Sequence, residues 1–78
     1  MVDNWRVIFG ARLRQARLDV PLTQIELAAL LGVEQTTISR WERGGTAPPD
    51  ELRPRLAAHL GCPVHELFAY DDNGEAVA

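Results

Sequence analysis

The chain has 78 residues, room for one domain and a modest core, since a domain of this size buries only about 60% of its unfolded surface. Its single cysteine, Cys62, excludes an internal disulfide. With only His59 and His65 beside it the composition assembles no metal site, and a reduced, intracellular setting fits. The net charge of −3 sets 8 basic residues, all arginine, against 11 acidic ones; Asp71, Asp72 and Glu75 carry the whole excess, so residues 1–70 are neutral.

No apolar run approaches the roughly 20 residues of a membrane span, and the charged N-terminal stretch lacks the apolar core of a signal peptide. Helical periodicity runs throughout, and no strand pattern competes. In "DNWRVIFGARLRQARLDV" Asp3 is the expected N-cap, and Trp5, Phe9, Leu13 and Ala16 share one face of a first helix that must stop short of Pro21. "TQIE" is a capping box: Thr23 caps a second helix and Glu26 reaches back to it. Leu27, Ala28 and Leu31 form that helix's inner face, with Leu30 on the flank, and Gly32 ends it where a left-handed residue is needed.

A third helix is expected over about 35–43, stopped by Gly44 or Gly45. The fourth starts close to Pro49–Arg53, because Pro54 is tolerable only in a first turn, and its inner stripe is Leu52, Leu56 and Leu60. Gly61 ends it. "PVHELF" reads as a short fifth helix with Pro63 at its first position. Cys62 is expected as a small buried hydrophobe. Residues 71–78 read as an acidic, disordered tail outside a domain spanning residues 1–70.

The third helix is unusual in being mostly polar. At about 100° per residue, Ile38 and Trp41 point one way, and Thr36, Ser39, Arg40 and Arg43 point the other, with Gln35 at the N-terminal edge. Arginine can pair with guanine, glutamine with adenine, and a threonine methyl with a thymine methyl, so this face suits the base edges of duplex DNA. A short helix, a glycine turn and a second helix are the parts of a helix-turn-helix, and Ala28 is small enough to let the two helices approach. Glu42 turns toward the interior beside Ile38 and needs a partner, for which Arg17 is the candidate. An ordinary solvated helix face is the plain alternative. Trp41 reads as core; Arg12, Arg14, Arg53 and Arg55 as solvated surface; His59 and His65 as structural or surface residues.

"LTQIELAALLGVEQTTISRWERG", followed by "LAAHLGCPVHELF", resembles the phage repressor/Cro-like (XRE-type) helix-turn-helix family over residues 9–68. The resemblance implies an all-α, compact five-helix domain that acts as a sequence-specific transcriptional regulator, a repressor of prokaryotic or phage type in the cytoplasm and on the nucleoid. It implies base contacts by Gln35, Thr36, Ser39 and Arg40, phosphate contacts by Thr23, Gln24, Arg43 and Thr46, and a buried ion pair between Arg17 and Glu42. The implied partner is double-stranded DNA, bound as a homodimer on a pseudo-palindromic operator. No cofactor, metal, membrane or small-molecule ligand is implied, and no catalytic constellation is present in the sequence. Leu67, Phe68 and Tyr70 are equally candidates for the dimer surface and for core. Two departures stand out: Glu34 occupies a position where a small polar cap is common and would repel phosphate, and "GGTAPPD" lacks the basic residues that relatives set against DNA. A protein-interaction module, or an antitoxin combining both roles, is the rival that the acidic balance keeps open.

Overall fold

In the computed structural model, which describes residues 5–67, α1 (Trp5–Asp19) runs along one side of the core and buries Phe9 and Leu13, with Trp5 and Ala16 packed at the margin. Asp3, its expected cap, lies outside the described residues. Pro21 has no N–H to continue the helix and confines its predecessor to extended backbone, so α1 ends at Asp19.

The second helix, α2 (Gln24–Leu31), begins with a complete capping box. The Thr23 hydroxyl accepts the Glu26 N–H at 3.0 Å, and the Glu26 carboxylate accepts the Thr23 N–H at 2.8 Å. The helix buries Leu27, Ala28 and Leu31, while Leu30 stays on the exposed flank. Gly32, at φ 72°, supplies the left-handed residue that lets Val33 N–H return to the Ala28 carbonyl at 3.0 Å. Two residues later α3 (Gln35–Glu42) starts, and it packs on both α1 and α2.

A 3₁₀ turn over Asp50–Leu52 leads into α4 (Arg53–Leu60), with Pro54 in the first turn, where its missing N–H has no intrahelical acceptor to lose. Leu56 and Leu60 are buried; Leu52, in the 3₁₀ turn, is only half-buried. The last helix, α5 (Val64–Leu67), begins after Pro63 rather than on it and closes the core with Leu67. Among the described residues there is no strand, and one core joins all five helices through Phe9, Leu13, Leu27, Ile38, Trp41, Leu56 and Leu67.

Several expectations are corrected by the packing. Leu67, open in the sequence between core and partner surface, is core, while Phe68, Tyr70 and the stretch 71–78 lie outside the described residues. Cys62 is half-buried at the core margin, where burial and the Glu66 charge push its thiol pKa up. Arg12 and Arg53 are not simply solvated. Arg12 donates to the Glu66 carbonyl, tying α1 to α5. Arg53 donates to the Pro48 carbonyl, pairs with Asp50 at 3.5 Å, and sits 6.0 Å from the Trp5 ring centroid, tying the start of α4 to α1. Arg55 is exposed but donates to the Leu30 carbonyl at 3.4 Å; Arg14 and His65 are exposed, and His59 is half-buried.

Candidate nucleic-acid interface

The inner side of α3 is set by Ile38 and Trp41, both almost fully buried. With that side pinned, helical geometry puts Gln35, Thr36, Arg40 and Arg43 outside, all exposed, with Ser39 half-buried at the edge. Thr23 and Thr46 are also exposed, at the start of α2 and in the loop after α3, and Gln24 is half-buried between α2 and α3. Arg40 and Arg43 make no ion pair among the described residues, so both guanidiniums are available to a ligand.

Beneath this face a polar network joins three helices. Arg17, near the end of α1, donates from Nε to Glu42 Oε2 at 2.6 Å and from Nη2 to Oε1 at 3.0 Å, a two-pronged pair. Its Nη1 donates to the Leu22 carbonyl at 2.7 Å, which ties down the turn before α2. The side chains are 8% and 4% exposed, so each charge depends on the other. The hydrogen bond to Glu42 pushes the Arg17 pKa up; burial works against that rise and the Glu42 charge adds to it. No buried side-chain polar atom lacks a partner among the described residues.

Gln24 extends the network to the surface. Its Nε2 donates to Glu42 Oε1 at 3.0 Å, and its Oε1 accepts from Gln35 Nε2. The chemistry fixes both amides: a carboxylate only accepts, so Gln24 must turn its nitrogen to Glu42 and its oxygen to Gln35. Gln35 is then a donor to Gln24, with its own oxygen and second N–H still open. An open acceptor beside an open donor is the pair that matches the N6 and N7 edge of adenine. The first residue of α3 is thus oriented by a chain of contacts that begins in α1.

The far end of α3 is held by close backbone approach. Gly10, inside α1, lies so near α3 that an added Cβ would fall 2.5 Å from the Trp41 carbonyl oxygen and 2.6 Å from that of Glu42. After Arg43 the helix closes with Gly44 N–H to the Trp41 carbonyl (3.1 Å) and Gly45 N–H to the Arg40 carbonyl (3.0 Å), Gly44 being left-handed at φ 81°. A Cβ on Gly44 would meet Val7 at 2.9 Å. Helical periodicity gives Gly10 no role. The available signal is its cost: a glycine inside a helix loses about 1 kcal/mol against alanine and calls for a packing reason.

Among the described residues no cluster of three or more His, Cys, Asp and Glu side chains can hold a metal, and no helix is long and apolar enough to cross a membrane. A surface hollow of about 650 Å³ is bounded by Arg12, Ala16, Leu60, Cys62 and Leu67, and no α3 residue lines it.

Against known proteins, the helix-turn-helix family model matches residues 13–67, which include the whole of α2, α3 and α4. The cryptic phage CTXphi transcriptional repressor RstR of Vibrio cholerae is 32% identical over 62 residues, 80% of this chain and 56% of RstR. The chain therefore spans only about half the length of that relative. The restriction-modification controller protein C.AhdI of Aeromonas hydrophila has a similar structure, with TM-score 0.74 and 35% identity over 81% of this chain and 96% of that one. The c2 repressor of Salmonella phage P22, solved in complex with a synthetic operator, superposes with TM-score 0.74 and 33% identity, over 78% of this chain and 92% of that one.

Proposed function

The chain belongs to the phage repressor/Cro-like helix-turn-helix family, and we propose that it is a sequence-specific, DNA-binding transcriptional regulator, a repressor of prokaryotic or phage type, that reads the major groove with α3. The observation that carries this reading is the outer face of α3: amide, hydroxyl and unpaired guanidinium groups on a helix whose inner side is locked to α1 and α2. Gln35, Thr36, Ser39 and Arg40 contact base edges. Thr23, Gln24, Arg43 and Thr46 contact phosphate, Gln24 through the N–H that Glu42 does not use. The ion pair of Arg17 and Glu42 contacts no base; it fixes the angle at which α3 enters the groove.

One copy of α3 covers only a few base pairs, so the acting species is a homodimer on a pseudo-palindromic operator. Its place is the cytoplasm, on the nucleoid. Regulation follows from occupancy of DNA; no chemical step on a substrate is involved. Selection of bound sites from a random duplex pool at stated salt tests the reading. A motif with two inverted half-sites is expected. If no sequence is enriched, the DNA-reading role fails and a protein-interaction module becomes the better account.

A further inference from the structure

Glu34 is the residue immediately before α3, and its main-chain carbonyl accepts the Thr37 N–H at 3.0 Å and the Ile38 N–H at 3.4 Å. Its position is that of an N-cap, yet its side chain makes no capping bond. Thr23, at the same position of α2, makes a full capping box. A cap is worth about 1 kcal/mol, so α3 forgoes stability at its leading end and leaves a carboxylate there instead. That carboxylate is exposed and has no hydrogen bond or ion pair among the described residues. The first residues of such a helix are those that meet base edges.

A carboxylate facing DNA repels phosphate and costs affinity unless it finds a donor. In the major groove the donors are the amino groups of cytosine and adenine. Adenine sets an acceptor, N7, beside its amino group; a carboxylate has only acceptors, so one of its oxygens meets that nitrogen unfavourably, whereas a glutamine amide satisfies both. Cytosine offers its amino group without that neighbour on the same base. On the DNA-reading role proposed for α3, we propose that Glu34 is a specificity-determining residue that accepts from cytosine N4 beside the base read by Gln35, and that it disfavours the other bases there. The departure from a small cap is then a way of choosing sites: the same charge that weakens binding to every other duplex is compensated only on the right one.

The test is site selection from a random duplex pool with the full chain and with Glu34→Gln, followed by affinities on single-base variants of the winning site. Glu34→Gln keeps the side-chain size and breaks no bond, so its melting curve should match that of the parent. The parent should select C·G at one position of each half-site. Glu34→Gln should lose that preference or move it to A·T, by on the order of ten-fold, with the other positions unchanged. If Glu34→Gln selects the same bases and binds all duplexes more tightly, Glu34 only repels phosphate and the proposal fails, while the DNA-reading role stands. An unchanged profile with unchanged affinity overturns it as well. If the parent enriches no sequence at all, the reading of α3 falls and this assignment falls with it.

Discussion

Arg40 and Arg43 stand on the same face of α3 and carry the same charge, but the roles proposed for them differ with their positions. Arg40 lies in the last turn of α3, its side chain exposed beside Thr36 on the outer face, and Arg43 is the residue that ends the helix, next to the backbone reversal at Gly44. Arg40→Ala should therefore cost about 1–3 kcal/mol on the best site and relax preference at one or two base pairs. Arg43→Ala should weaken all duplexes about equally and reduce the salt dependence. Competition binding on single-base variants of the site distinguishes the two, and equal, sequence-independent losses would remove Arg40 from the base-reading set. Gly10 makes a different residue-scale point. Alanine is favoured over glycine in a helix by about 1 kcal/mol. Here its Cβ must displace two backbone carbonyls that have no rotamer to escape into, and overpacking of that kind costs about 1–3 kcal/mol. Gly10→Ala should lower the denaturation midpoint and weaken DNA binding together; a more stable variant would show that α1 and α3 are not held at this distance.

At the scale of elements, the boundaries were legible wherever the chain forbids an alternative. Pro21 stops α1, Pro54 can stand only in a first turn, and Gly32, Gly44 and Gly61 take left-handed values that other residues reach only with strain. The inner faces of α2 and α3 were legible because Leu27, Ala28, Leu31, Ile38 and Trp41 recur at helical spacing. Periodicity says which way a side chain points but not what lies opposite, so Gly10 against Trp41, Arg53 over Trp5, and Gln24 between Glu42 and Gln35 were out of its reach. Leu67 was ambiguous for the same reason: an apolar residue near the last helix suits a core and a partner surface equally. Angular position alone raised Glu42 as an inward carboxylate in search of a partner, and its bonds to Arg17 and Gln24 join α1, α2 and α3 into one unit.

That unit predicts a coupling. Removing one member of a buried pair strands the other charge and costs about 3–5 kcal/mol, a large share of the roughly 5–15 kcal/mol that holds a domain together. Glu42→Ala and Arg17→Ala should each lower the melting temperature by more than about 10 °C and abolish DNA binding, although neither residue is assigned a base. Replacing both with apolar residues should recover much of the stability, because no charge is then stranded. A double-mutant cycle followed by thermal melts gives the coupling energy; strictly additive losses would mean that α1 does not hold α3 through this pair.

For the whole molecule, charge sets the manner of binding. The chain carries −3 overall, and the loop "GGTAPPD" after α3 contributes no basic residue, so few phosphates can be neutralised by each copy of the chain. On the proposed role, affinity must then come more from base contacts than from counterion release, and the slope of log K against log salt should be shallow, corresponding to only a few ions per bound chain. Sequence preference should survive at salt concentrations that remove nonspecific binding. The most direct test compares equilibrium binding of the full chain to its selected duplex and to a shuffled duplex of the same length across a salt series. A preference of at least about 10³-fold for the selected duplex is expected, with that shallow slope; equal affinity for the two duplexes at every salt concentration would rule out sequence-specific reading by α3.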